Sequence, residues 1–249
     1  MYEWRDIVKI IKFASRLLIV CILLFVVLAG IYMSRNYEAD NSVAVASLIS
    51  DGDVTVKKLE NDYYVFEPSN ATKGFIFYPG GCVEYSAYAP LLRELANRGI
   101  LCILIEVPLN LAILDSDAAD NLTSMYPNIE SWYIGGHSLG GVVAANYASN
   151  HLNEFEGLLL LASYSNIDLH DTELTVVSIY GSNDEVLNME RYAEAKINLP
   201  KDSMEMVIDG GCHSYFGNYG MQAGDGTPTI TRESQVLSTI EFSLENLFN

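Results

Sequence analysis

The chain has 249 residues, half of them apolar, which is enough for one well-filled core and not for two independent domains. Its first 33 residues carry four basic and two acidic side chains, so the formal net charge of −18 leaves −20 on residues 34–249; with no basic patch, a domain that acidic argues against nucleic acid as a partner and repels anionic lipid heads. Four cysteines and four histidines occur without C-x-x-C or clustered Cys/His spacing, so neither a structural metal nor a cofactor is expected.

The first predicted element is not part of the core. From Leu17 to Met33 run 17 uncharged residues, LLIVCILLFVVLAGIYM, at the lower limit for a helix that spans a bilayer. Arg5, Lys9, Lys12 and Arg16 precede the run against Glu3 and Asp6, whereas Arg35, Glu38 and Asp40 follow it. A positive flank stays in the cytoplasm, which puts the rest of the chain outside. The expected organisation is a cytoplasmic basic N-terminus (1–16), a transmembrane anchor (17–33), a polar tether (34–50) and one domain (51–249), a single-pass membrane protein with its domain extracytoplasmic. Val27-Leu28-Ala29 offers the alternative of a cleaved signal peptide and a secreted domain. Ile31 stands where a lipoprotein would need a cysteine, and the absence of a polar face disfavours a core helix.

The remaining segments alternate in type. Strands are predicted at Tyr63–Phe66, Gly74–Tyr78, Ile100–Val107, Trp132–Ile134, Gly157–Ser163, Thr175–Tyr180 and Met204–Ile208. Helices are predicted at Ala87–Arg98, within Leu109–Met125, and at Val142–Ala148, Glu190–Ile197 and Arg232–Leu247. Strands apolar throughout, alternating with helices, belong to a mostly parallel sheet covered on both faces, so the fold class is α/β, doubly wound.

Gly136-His137-Ser138-Leu139-Gly140 is a G-x-S-x-G turn between the strand Trp132–Ile134 and the small-residue helix after it. In such an elbow the serine hydroxyl is held clear of the backbone, and the two glycines let strand and helix pack closely. Ser138 is therefore the candidate nucleophile, and it needs a base that is itself oriented by an acid. His151 lies near the end of the elbow helix and His170 in a polar loop, while His213 directly follows the last strand and is the preferred base. Asp184 follows the strand Thr175–Tyr180 and is the preferred acid; Glu185 beside it is the alternative, since adjacent turn residues point apart. An oxyanion hole would combine the Leu139 N–H with one from the turn after an early strand, where Gly81 and Cys82 are the candidates. Tyr85, Tyr88, Phe216 and Tyr219 are candidates for lining the substrate site, or are rim and core aromatics.

On these residues the chain resembles a compact, lidless α/β-hydrolase of the dienelactone-hydrolase-like group. The likeness runs from about residue 60 to the end and rests on FYPGG (77–81), PLNLA (108–112), GGHSLGG (135–141), YGSND (180–184) and the stretch from Gly211 through His213 to Tyr219. It implies an α/β-hydrolase fold without a cap domain and a triad of Ser138, Asp184 and His213. Dienelactone hydrolases carry a cysteine where this chain has Ser138, so their substrate is not implied. Two functions follow: a membrane-tethered serine hydrolase cleaving a small-molecule carboxylic ester, with thioesterase, amidase and acyltransferase chemistry open to the same triad, or a non-catalytic surface or interaction domain. No protein partner is indicated. Cys82 and Cys212 would both lie near Ser138, as free thiols or as a disulfide.

Overall fold

The protein is described by a computed structural model covering residues 4–33, 36–60 and 62–249. The first three residues of the expected cytoplasmic terminus and the first two of the expected tether lie outside the described residues. The chain divides into two units, residues 1–36 and 37–249. The first holds helix α1 (Trp4–Met33), which contains the expected apolar segment; its stretch Lys9–Val27 is long and apolar enough to cross a membrane.

The second unit starts earlier than the expected boundary at residue 51. Helix α2 (Asn41–Ser47) is capped by Asp40, whose carboxylate accepts the Ser42 N–H at 3.1 Å, and it buries Ala44. The buried Arg93 guanidinium donates to the Ile49 carbonyl at 2.7 Å and the Ser47 carbonyl at 3.3 Å, and pairs with Asp51. From Tyr37 onward the segment expected to be a tether is therefore part of the domain. It is fixed by caps and backbone hydrogen bonds together with Ala39 and Ala44, which join the core beside Tyr37 and Leu48; side chains this small and this few gave no amphipathic pattern to read.

An eight-stranded sheet follows, formed by β1 (Val54–Lys58), β2 (Tyr64–Pro68), β3 (Lys73–Tyr78), β4 (Ile100–Leu104), β5 (Ser131–His137), β6 (Gly157–Leu161), β7 (Thr175–Gly181) and β8 (Met204–Ile208). The spatial order is β1-β2-β4-β3-β5-β6-β7-β8; β2 pairs antiparallel with β1 and β4, and every other pairing is parallel. Helices α3 (Ala89–Asn97), α4 (Leu139–Asn150) and α5 (Met189–Ala195) lie in the connections, and α6 (Arg232–Asn246) follows the last strand. This is the α/β-hydrolase fold. Along β3, Phe75 and Phe77 join Leu92 of α3 and Ile240 of α6 in one core, while Ile76 and Tyr78 join Val143 and Ala144 of α4 in the other. The pleat thus divides the apolar residues between two covered faces, as a parallel sheet requires.

Two expectations are corrected. Strand β1 adds an edge hairpin partner to β2 that the sequence reading did not include. The helix expected within Leu109–Met125 is absent: the segment makes three short 3-10 turns at Pro108–Asn110, Ala112–Leu114 and Thr123–Met125. Leu109, Asn110 and Asn121 stand at φ of +56°, +54° and +64°, each of which breaks an α-helical hydrogen-bond ladder.

The elbow packs closely against the sheet. A Cβ at Gly136 would stand 2.5 Å from the Gly140 carbonyl carbon and 2.6 Å from the Tyr78 carbonyl oxygen, both backbone atoms. Gly136→Ala should lower unfolding stability by about 1–3 kcal/mol in denaturant titrations. Gly52→Ala, where nothing lies within 4 Å of the new methyl, should leave it nearly unchanged.

Candidate active site

Four turns leave the carboxyl edge of neighbouring parallel strands, the edge where open α/β sheets bind ligands. They follow β3, β5, β7 and β8 and carry Gly81, Ser138, Asp184 and His213. Ser138 has φ 53° and ψ −121°, a conformation that L-residues avoid. Its N–H donates to the Leu161 carbonyl at 2.9 Å, and its carbonyl accepts the Ser163 hydroxyl at 2.7 Å. Ser163, just beyond β6, was not foreseen from sequence, where it read only as the end of a strand. The residue after the serine, Leu139, opens α4, so its N–H has no acceptor within the helix.

His213 and Asp184 meet as expected. His213 Nδ1 lies 2.8 Å from Asp184 Oδ2, with both side chains essentially buried. The other oxygen, Oδ1, accepts the Val186 N–H at 2.9 Å and the Leu187 N–H at 2.8 Å, which sets the plane of the carboxylate. Glu185 is exposed, so the structure separates the two candidate acids. His213 Nε2 is buried and has no hydrogen-bond partner. With Nδ1 held by a carboxylate, Nε2 is the nitrogen left to face a reacting group.

The His213 turn is held from behind by two residues the sequence reading missed. Asp225 accepts the His213 N–H at 3.2 Å, the Ser214 N–H at 2.8 Å, the Ser214 hydroxyl at 2.6 Å and the Gly226 N–H at 2.9 Å. Burial opposes its charge, but the Ser214 hydroxyl and the backbone amides outweigh it and hold the carboxyl below its ordinary value of 3.8. Buried Gln235 of α6 grips Cys212, accepting its N–H at 3.0 Å and donating to its carbonyl at 2.8 Å. Both partners come from after His213, where sequence offers only a turn aspartate and a polar helix residue.

The turn after β3 divides the two expected oxyanion donors. The Cys82 N–H is already donated to the Asn110 carbonyl at 2.8 Å, so Cys82 is withdrawn from that role. Gly81 fits it: a Cβ there would stand 3.1 Å from Leu139 Cδ2, so the Gly81 and Leu139 backbones adjoin. Behind them Tyr88 accepts the Gly80 N–H at 3.1 Å, and its hydroxyl lies 2.8 Å from His137 Nδ1. Burial, and then the neighbouring His213, hold His137 well below the ordinary histidine value and keep it neutral. Its ring packs 4.4 Å from that of His213, centroid to centroid.

Ser138, Leu139 and His213 share one open cavity of about 240 Å³, walled on its apolar side by Val142, Ala162, Tyr164, Val186 and Leu187. The four aromatics considered for this role do not line it. Tyr85, Tyr88, Phe216 and Tyr219 are all buried in the core, Tyr85 stacked on Tyr64 and Tyr219 against Tyr37 and Tyr88. They follow the turns of Gly81 and His213 in sequence, but the 3-10 turns Tyr85–Tyr88 and His213–Phe216 bury Tyr85, Tyr88 and Phe216, and Tyr219 beyond the second is buried too. Cys82 and Cys212 are free and buried, so they are not disulfide-linked; burial, and then Asp225, push the Cys212 thiol up to about 12. Among the described residues no group of three His, Cys, Asp or Glu is arranged to hold a metal.

A family model described as the alpha/beta hydrolase family matches residues 74–237. Among solved structures, Est1E from Butyrivibrio proteoclasticus superposes with a TM-score of 0.54 at 13% identity, over 80% of this chain and 100% of that one. Thermogutta terrifontis esterase 2 phosphoramylated by tabun gives 0.53 at 15%, over 80% and 97%. TT1662 from Thermus thermophilus gives 0.55 at 16%, over 77% and 98%. At these identities the structures are similar in fold. No curated protein matches the chain in sequence.

Asp225 gives a pH test of the turn. A carboxyl held low in the fold stabilises it above the unfolded value and loses that contribution as the pH falls. The stability difference between wild type and Asp225→Asn should be constant at neutral pH and shrink below about 3.8, read from urea midpoints across pH. A gap that widens in acid would contradict this assignment.

Proposed function

The chain belongs to the alpha/beta hydrolase family, and from that premise we propose that it is a serine hydrolase that cleaves carboxylic esters through an acyl-enzyme on Ser138. The observation that carries this reading is His213, fixed at Nδ1 by buried Asp184 and open at Nε2 in the cavity that holds Ser138. In the first half-reaction Ser138 Oγ attacks the acyl carbon and its proton passes to His213 Nε2. Collapse of the tetrahedral adduct breaks the ester C–O bond, and the alcohol leaves with that proton. Water then attacks the acyl-serine, gives a proton to Nε2, and Ser138 regains it as the carboxylic acid departs. The oxyanion of each adduct is received by the N–H groups of Gly81 and Leu139, a pair whose donors are worth about 2.7–4 kcal/mol each in such sites. The esterases among the similar structures support an ester over an amide.

For location, the reading is an anchor formed by α1 with the catalytic domain outside the cytoplasmic membrane. The apolar stretch within Trp4–Met33 and the four basic residues ahead of Leu17 support it.

Ser138→Ala should abolish turnover of a short p-nitrophenyl ester and labelling by a serine-directed fluorophosphonate, with a rate loss of roughly 10⁴–10⁶. His213→Ala should match it. Asp184→Asn should lose less, and Glu185→Gln should stay near wild type. An alanine variant of Ser138 that keeps a tenth of the activity would transfer the chemistry to another nucleophile.

Topology has a separate readout. Protease added to intact spheroplasts should digest the domain while α1 stays with carbonate-washed membranes. Recovery from the medium with a new terminus near Gly30 would establish a cleaved signal peptide instead.

A further inference from the structure

The turn after β3 holds a single uncommitted backbone donor. It runs Pro79-Gly80-Gly81-Cys82, and Pro79 has no N–H to give. The Gly80 N–H is donated to the Tyr88 hydroxyl at 3.1 Å, and the Cys82 N–H to the Asn110 carbonyl at 2.8 Å. The Gly81 N–H finds no acceptor among the described residues. It is the donor left for a ligand.

Consecutive glycines have no side chains to fix the peptide between them, so its direction comes from the bonds around it. The peptide is trans, which points the Gly81 N–H away from the Gly80 carbonyl, and that carbonyl accepts the Val83 N–H at 3.3 Å. Val83 thus ties the plane from one side. Tyr88 ties it from the other, because holding the Gly80 N–H fixes the residue from which the plane starts.

The hydroxyl that does this is itself immobile. Tyr88 is fully buried, its ring 5.1 Å from that of Phe77 on β3 and 6.4 Å from that of Tyr219. A Cβ at Gly80 would stand 2.6 Å from the hydroxyl and 2.8 Å from His137 Nδ1, so backbone, phenol and imidazole meet with no space between them. The hydroxyl lies 2.8 Å from His137 Nδ1, and His137 is the residue before Ser138. One buried side chain therefore touches both the turn that carries Gly81 and the strand end that carries the nucleophile.

We propose that Tyr88 is a positioning residue for the oxyanion site: its hydroxyl, through Gly80, aims the Gly81 N–H at the oxygen that becomes negative when Ser138 attacks. This rests on the serine-hydrolase reading above. The hydroxyl touches neither the substrate nor a reacting atom. The donor it aims binds the charged oxygen of the tetrahedral adduct more strongly than the neutral carbonyl of the bound ester, so its contribution falls on kcat and not on KM.

The test is Tyr88→Phe, which keeps the ring and removes the hydroxyl. It is assayed on a short p-nitrophenyl ester across pH, with sites counted from the end-point of fluorophosphonate labelling so that only folded protein contributes. An oxyanion donor removed outright costs roughly 10²–10³ in kcat; a donor left in place but badly aimed should cost about ten- to a hundredfold, with KM within about twofold. The acid limb of the pH profile should stay in place, since the Asp184–His213 pair is untouched. Gly80→Ala, which keeps the tyrosine but drives a methyl against its hydroxyl, should reproduce the kcat loss. Tyr192→Phe is the matched control: its buried hydroxyl also has two partners, Ser178 at 2.9 Å and Glu205 at 2.6 Å, and its removal should lower stability and leave kcat unchanged. Wild-type kcat in Tyr88→Phe overturns the proposal and leaves the hydrolase reading standing. A loss confined to KM overturns it too, as does a shifted acid limb, which would move the role of the hydroxyl to His137 and His213. A wild type that neither cleaves the ester nor takes the label overturns both readings.

Discussion

The backbone of Ser138 is the constraint around which the rest is arranged. A residue at φ 53° and ψ −121° costs about 1–3 kcal/mol and persists only where its surroundings over-determine it. Here they do so from every side. The preceding strand is locked between β3 and β6, the Ser138 N–H and carbonyl are both bonded, and Gly136 and Gly140 remove the Cβ atoms that would otherwise collide with backbone. The strain has a geometric product. It turns the chain from strand to helix within one residue, so Ser138 stands at the sheet edge with the first turn of α4 directly after it.

The histidine is delivered differently. Its turn has no strand on its far side, and its position depends on side chains instead: Asp225 collects four donors and Gln235 clamps both backbone groups of Cys212. Carboxylate and amide are suited to this, since each satisfies several buried backbone groups at once, and leaving any one unpaired costs about 1–3 kcal/mol. The result is an imidazole fixed at Nδ1 and unpartnered at Nε2.

Much of this was legible in the sequence, and the reasons are local. The sheet announced itself because strands buried on both faces must be apolar throughout, as Ile100–Leu104 and Gly157–Leu161 are. The G-x-S-x-G turn could be read because only glycine tolerates the contacts at 136 and 140. Asp184 and His213 followed from their place after strands at the carboxyl edge. What escaped was set by tertiary context. Whether Tyr88 or Phe216 faces the cavity or the core depends on the direction of a 3-10 turn, and no periodicity encodes that over four residues. Whether the Cys82 N–H is free depends on Asn110, 28 positions away, at a left-handed residue that also dissolved the helix expected there. The packing of Tyr37–Leu48 on the domain likewise combines a few small apolar contacts with backbone bonds from Tyr37 and Asp40 to distant loops, which composition does not report.

The pair His137 and His213 shows how one buried histidine conditions the other. In the proposed mechanism a positive charge would form on His213, 4.4 Å from the His137 ring and opposite the Asp184 carboxylate. A second cation beside it would oppose that charge, because between two buried rings like charges at that distance repel strongly. His137 avoids this by two means already in the fold. Burial disfavours its protonated form, and the Tyr88 hydroxyl, which accepts the Gly80 N–H, holds His137 Nδ1 at 2.8 Å. The same hydroxyl therefore steadies both the ring of the residue before Ser138 and the turn that carries Gly81. The turn after β3 and the surroundings of His213 are thereby coupled through one buried oxygen.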